Sequence, residues 1–352
     1  MAYKNRKNDK ISSFKLINEK IKEDTLPNVL LLCGKEQFLV NWTLNSLKKK
    51  YINKSTEALD YCFIDGNNAS YDKIVEACDT LSMFSLRRIV EVRDFPLLMG
   101  KSLKGFNSEN ENQLCEYIKM MPKETLLVFS CENPDMRLKL CRTISSLGGV
   151  FDFDTLGQKD LENFIIKNFK SAKKYCKGLV IEEIINMSGY YHQEAKYTLY
   201  NLENDLKKII AHSTQEEIFL SDVISTISGN LETNSFAMVD ALSRGKKDEA
   251  YRILFNINPT REDLIGLLGL TISQFELILK VKELSEEGKN QDSITNILAV
   301  HPFRVKKALE FSKYCNRQFF KSILLMAYKV DADIKNGLLD DRLSFELFIA
   351  MA

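Results

Sequence analysis

Chain breakers are scarce in this sequence. Its 352 residues include 6 prolines and 15 glycines, which excludes a collagen-like or loop-built chain and points to long helices. Histidine is scarcer still. His192, His212 and His301 are too few and too scattered for an HExxH zinc pattern, and they offer no evident catalytic triad. The eight cysteines (Cys33, Cys62, Cys78, Cys115, Cys131, Cys141, Cys176 and Cys315) form no CxxC pair and none sits at zinc-ligand spacing from a histidine. Several fall in apolar runs such as Val29–Cys33, so buried, reduced thiols are expected, with no metal and no cofactor.

Neither sign of charge is in excess. Lys and Arg number 49 against 48 Asp and Glu, a formal net charge of +1. That balance argues against a chain that wraps duplex DNA through an overall basic surface, while leaving room for a local basic face. Long apolar runs are also missing. The longest charge-free stretch, Leu264–Phe275, is closed by Asp263 and Glu276 and falls short of the ~20 apolar residues of a membrane span. A buried core helix is expected there, and no membrane crossing. Met1 to Lys10 is polar and basic with no apolar segment after it, so it is expected to be an arm and not a signal peptide.

What is present is the composition of a folded globular chain, 45% hydrophobic and 28% charged. The length predicts two or three domains. Up to residue 155, short β-rich runs alternate with helical patterns. The runs are Val29–Cys33, Tyr61–Ile64, Ile89–Val92, Thr125–Ser130 and Val150–Phe153. Val29–Cys33 and Leu126–Phe129 are apolar at consecutive positions, as in central parallel strands buried on both faces. Between them, sets such as Phe14, Ile17 and Ile21, or Tyr71, Ile74, Val75 and Cys78, keep one helical face. This alternation predicts an α/β domain with a mostly parallel sheet. Beyond residue 156 the β signal is expected to stop. Short helices fill the stretch to about residue 213, followed by longer ones over Phe236–Ser243, Lys247–Asn256, Glu262–Glu286, Ser293–Ile297, Arg304–Tyr314, Gln318–Asn336 and Leu343–Met351. The Glu262–Glu286 helix is apolar nearly all round, as in a domain core or a subunit interface.

An α/β domain followed by a small helical lid is the layout of AAA+ nucleotide-binding proteins, in which the loop after the first strand binds phosphate. Here Val29–Cys33 runs into Gly34, Lys35 and Glu36. The second glycine, the lysine and the hydroxyl residue of GxxxxGK[ST] are replaced by Leu39, Val40 and Asn41. Thr125–Ser130 is followed by Cys131, Glu132 and Asn133, without the paired acids that would hold Mg²⁺. ATP hydrolysis is therefore not expected. Glu36 reads as an acid at a helix N-terminus, where the dipole favours it.

Six segments then resemble, in order, one family: the delta subunit of the bacterial DNA polymerase III clamp loader. They are LLLCGKEQFL (Leu30–Leu39), LSMFSLRRIVEVR (Leu81–Arg93), NLENDLKKI (Asn201–Ile209), FAMVDALSRG (Phe236–Gly245), HPFRVKKA (His301–Ala308) and DADIKNG (Asp331–Gly337). The first ten or so residues and Leu97–Phe106 have no counterpart. The resemblance implies an AAA+-like clamp-binding domain with a degenerate phosphate loop (1–155), a small helical lid (156–228) and a helical collar that joins other subunits (229–352). It implies a non-ATPase that binds and opens the ring-shaped sliding clamp (the beta subunit) for loading on primed DNA. Its partners would be tau/gamma-type and delta-prime-type loader subunits, in a bacterial cytoplasm.

In that family a short apolar tip enters a pocket on the clamp, and the matching positions are Met83 and Phe84, within Leu81–Ser85, with Leu81 counted among the clamp-binding residues as a candidate support. On the residues alone, Met83 and Phe84 fit a packing run before a strand as well as an exposed turn between Ser82 and Ser85; the resemblance selects the turn. Leu86 is a candidate support. Lysine clusters at Lys48, Lys49 and Lys50, at Lys173 and Lys174, and at Arg304, Lys306 and Lys307 read either as solvated faces or as nonspecific contacts to DNA phosphates inside the assembly. Two other readings stay open: a divergent AAA+ ATPase, and a delta-prime-type subunit. The latter type carries a zinc-binding cysteine cluster and a Ser-Arg-Cys motif that Leu140–Thr143 does not match.

Overall fold

The computed structural model describes residues 12–352, apart from 83, 192–196, 228–230, 258–259 and 339. Met83 and His192 thus lie outside the described residues. The chain divides into two compact units, one ending at Leu156 and one running from Gly157 to Ala352.

The first unit is built as α1 (Ser13–Glu23), β1 (Val29–Cys33), α2 (Gln37–Tyr51), α3 (Glu57–Asp60), β2 (Tyr61–Asp65), α4 (Tyr71–Asp79), β3 (Arg88–Arg93), α5 (Ser108–Met120), β4 (Thr125–Cys131), α6 (Lys139–Ser146) and β5 (Val150–Asp152). The five strands make one parallel sheet in the order β2-β3-β4-β1-β5. β1 and β4 are buried at every position, which is why they read as unbroken apolar runs and not as alternating ones. The chain leaves β1 for the far edge of the sheet and later returns to β5 on its other side. The loop after β1 therefore sits at the switch point, where open α/β sheets place ligands.

The second unit is mainly helical: α7 (Gln158–Ser171), β6 (Tyr175–Cys176), α8 (Gly178–Ser188), α9 (Leu199–His212), β7 (Glu217–Ile218), α10 (Leu220–Ile227), α11 (Leu231–Ser243), α12 (Lys247–Ile257), α13 (Arg261–Glu286), α14 (Gln291–Leu298), α15 (Pro302–Phe311), α16 (Arg317–Lys335) and α17 (Asp341–Met351). β6 and β7 form a two-stranded parallel ladder, so the expectation of no strand beyond residue 156 is corrected. Two residues are too few to show a period of two. A capping box starts α13, with Thr260 N–H donating to Asp263 Oδ2 at 3.0 Å and Asp263 N–H to Thr260 Oγ1 at 3.3 Å. The helix packs against α11, α15, α16 and α17, around the fully buried rings of Phe275, Phe320, Phe345 and Phe348.

The membrane expectation needs a correction too. Glu262–Glu286, with a mean hydropathy of 1.7 over its most apolar stretch, is long and apolar enough to cross a membrane. Glu276 interrupts the run without offsetting the apolar residues on either side. Half of that stretch is buried against the neighbouring helices, which is the setting of a core helix.

α15 is tied to α8 by charge and by ring stacking nearby. Lys306 Nζ lies 2.6 Å from Glu182 Oε1 and Lys307 Nζ 3.7 Å from it. The Tyr191 ring stacks on His301 with centroids 3.6 Å apart. The hydrogen bond from Lys306, with the charge of Lys307, holds the Glu182 carboxyl below its ordinary 4.5. A lowered folded-state pKa contributes stability that is present above the unfolded value and is lost as pH falls through the folded one.

Two expectations follow for stability. At Gly34, φ is +112° and an added Cβ would meet Phe153 O at 2.5 Å and Asp152 Oδ1 at 2.6 Å. Gly34→Ala should cost at least about 2 kcal/mol in urea unfolding; a variant of parental stability would mean that the loop is laxer than described. Glu182→Gln should cost at most about 1 kcal/mol at pH 7, because the pair is partly solvated. The gap between variant and parent should close as the pH falls below about 4.5. Unfolding curves taken across that range read it, and a gap that persists in acid would contradict the pairing.

Candidate functional site

The segment between α4 and β3 carries apolar side chains into solvent. Leu81 is 64% exposed, Phe84 62% and Leu86 75%. Phe84 is thus not part of the packing run that the residues alone left open for Met83 and Phe84, of which Met83 lies outside the described residues. Each of the exposed side chains would gain roughly 1.5–3 kcal/mol from burial, so together they form an unpaid apolar surface of the kind that marks a binding site.

Polar groups, and not a core, hold this loop. Ser82 Oγ accepts the Ser85 N–H at 3.0 Å and donates to Ser85 O at 3.0 Å, which closes a small turn around residue 84. Ser85 Oγ donates to Asp60 Oδ2 at 2.5 Å and accepts the Asn53 N–H at 3.0 Å. The N–H groups of Leu86 and Arg87 both donate to Tyr51 O, at 3.0 and 3.4 Å. Arg88 is buried and donates to Ala77 O at 2.8 Å and to Leu59 O. The tip is thus stapled to the end of α2 and to α3. Tyr51 is in turn fixed through its hydroxyl, which donates to Asp24 Oδ1 at 2.6 Å. Sequence reasoning found the apolar residues and missed Asp60 and Tyr51, together with Thr56, whose Oγ1 donates to Asp60 Oδ2 at 3.1 Å. The Ser82/Ser85 spacing was a legible signal for the turn; the partners from residues 51–60 meet it only in space.

The loop after β1 turns three of its backbone N–H groups onto the protein. Gly34 N–H donates to Glu132 O at 3.0 Å, Glu36 N–H to Phe153 O at 2.9 Å and Gln37 N–H to Lys35 O at 3.1 Å. A phosphate loop would aim such amides at an anion. Glu36 is fully buried at the start of α2, and Leu39 and Val40 are buried where a phosphate-binding lysine and its neighbours would stand. Lys35 is half-buried.

The basic clusters separate into engaged and open residues. Lys48 Nζ sits 3.2 Å from the Tyr61 ring centroid and 3.7 Å from Glu57. Lys50 Nζ donates to Ile21 O and to Lys22 O at 3.3 Å, covering the C-terminus of α1. Lys174 Nζ donates to Ser213 O at 2.9 Å and Gln215 O at 2.6 Å. Lys306 and Lys307 are held by Glu182, and Lys307 also lies 3.3 Å from Glu310. Arg304, expected on an open face, is buried at 8% exposure: it lies on the inner side of α15, and runs of charge in a sequence do not reveal which way a helix faces. Lys49 and Lys173 are exposed.

Two family models match the chain and together take in more than half of it. DNA polymerase III, delta subunit, matches residues 30–153. DNA polymerase III delta subunit, C-terminal domain, matches residues 232–352. The DNA polymerase III subunit delta of Bacillus subtilis (strain 168) is 25% identical over 332 residues, 94% of each chain. The probable DNA polymerase III subunit delta of Aquifex aeolicus (strain VF5) is 19% identical over 317 residues, 86% of this chain and 85% of the other. The solved structure of the Bacillus subtilis DNA clamp loader delta protein superposes with a TM-score of 0.58 at 24% identity, covering 96% of this chain and 98% of that one. It has the same fold, a parallel-sheet α/β domain followed by helices. The chain belongs to the DNA polymerase III delta-subunit family.

Proposed function

We propose that this chain is the non-hydrolysing subunit of a bacterial clamp loader, which grips the sliding clamp through residues 81–86 and biases the ring toward opening. The observation that carries the reading is the exposed Leu81, Phe84 and Leu86 on a loop fixed by hydrogen bonds. An aromatic ring and branched aliphatic groups already held in place lose little freedom on entering an apolar pocket, which is how interface hot spots gain affinity. Met83, outside the described residues, belongs to the same segment and would add an adaptable thioether. Opening requires tighter binding to the relaxed ring than to the closed one, since a ligand shifts an equilibrium only by its differential affinity.

In this reading residues 1–155 contact the clamp, 156–228 form a lid, and 229–352 join a collar with tau/gamma-type and delta-prime-type subunits. Primed DNA is held by the assembly as a whole, nonspecifically, with Lys49 and Lys173 the open cations of this chain's candidate clusters. The competing ATPase reading is disfavoured by the loop after β1, whose N–H groups at Gly34 and Glu36 already donate to carbonyls.

Two measurements test this. In a pull-down with the organism's own clamp, the double variant Met83→Ala, Phe84→Ala should lose binding by at least ~100-fold, as expected for two anchors at about 1.5–3 kcal/mol each. Retention of parental binding would end the tip assignment. The purified chain should show no ATP turnover above a no-protein control; hydrolysis abolished by Lys35→Ala would restore the enzyme reading.

A further inference from the structure

The tip poses a physical problem. Exposed Leu81, Phe84 and Leu86 give the loop no burial energy with which to hold its shape, and a loop without such contacts is ordinarily among the mobile parts of a fold. One of the groups that fix it is a buried carboxylate, to which Ser85 is bonded. Asp60, at the end of α3, is 2% exposed. Its Oδ2 accepts from Ser85 Oγ at 2.5 Å and from Thr56 Oγ1 at 3.1 Å. The two hydroxyl oxygens lie 3.3 Å apart, and Ser85 Oγ also receives the Asn53 N–H.

A carboxylate is costly to bury without hydrogen-bond donors. Its demand for donors pins Ser85 in place. Ser85 is also one end of the turn closed by Ser82, and Leu86 beside it is tied to Tyr51 O. The direction in which residue 84 points is thereby coupled to a carboxyl group buried inside the domain. We propose that Asp60 and Ser85 are positioning residues for clamp binding: they touch no partner, and they pre-order the apolar tip so that little ordering cost remains when it docks. This rests on the reading of residues 81–86 as the clamp contact.

Clamp affinity of the full-length chain tests the proposal in Ser85→Ala, Asp60→Asn and Ser85→Thr, each alone, and in Ser85→Ala combined with Phe84→Ala. Removing the donor in Ser85→Ala, or replacing the carboxyl group by an amide in Asp60→Asn, should weaken binding roughly ten-fold. Ser85→Thr, which keeps the hydroxyl, should bind close to the parent. In the Phe84→Ala background, Ser85→Ala should add no further loss, because the group being positioned is gone. Amide exchange at residues 85 and 86 should quicken in Ser85→Ala. If Phe84→Ala leaves affinity unchanged, the tip reading falls and this proposal with it. If Phe84→Ala weakens binding while Ser85→Ala does not, the tip stands and the positioning role is overturned. An equal loss from Ser85→Ala in both backgrounds would mean general damage to the fold, and would also overturn it.

Discussion

Exposed apolar side chains keep a defined geometry only when polar bonds behind them do the work that burial does elsewhere. Here that work is done around Ser85, whose hydroxyl joins the tip to Asp60 and to the Asn53 amide. The rest of the first unit serves that junction. α2 ends at Tyr51, whose carbonyl takes two N–H groups from the base of the tip, and α1 is laced to the same helix end through Asp24 and Lys50. The hydrogen bond from Tyr51, helped by the charge of Arg87, holds the Asp24 carboxyl below its usual range. Lys50, one of a run of lysines that left both a solvated face and a DNA contact open, is thus engaged within the fold.

The same sheet carries a second consequence. In a parallel α/β domain the loop after β1 is the natural place for a phosphate. This chain fills that place with its own backbone bonds and with buried Glu36, Leu39 and Val40. A domain that has closed this site can still offer its surface to another protein, and the proposed division of labour follows: a grip without hydrolysis, with the energy supplied by other subunits.

The α/β layout was legible because β1 and β4 are buried on both faces and so are apolar without interruption. The helices of the second unit were legible in type, though often misplaced by a turn at their ends: α11 begins at Leu231, not Phe236, and α15 ends at Phe311, not Tyr314. Helix ends depend on caps and tertiary contacts as much as on periodicity. β6 and β7 were too short to show a pattern. The candidate site was half legible. Its apolar members stand together in the sequence, so the segment could be named, whereas Asp60 lies 25 residues from Ser85 in the chain and nothing local marks it. Which lysines of a basic cluster stand open was not legible for a related reason. Lysines adjacent in sequence point in different directions on a helix, so Lys49 is open while Lys48 and Lys50 on either side are engaged.

The central claim is that residue 84 enters the clamp. A photo-crosslinking amino acid placed at that position in the full-length chain, irradiated with the organism's sliding clamp, measures this directly. The account predicts a covalent adduct to a single apolar pocket of the clamp, suppressed by excess unlabelled parent chain. Clamp binding that persists while the probe at 84 reacts only with solvent or with its own chain would contradict it.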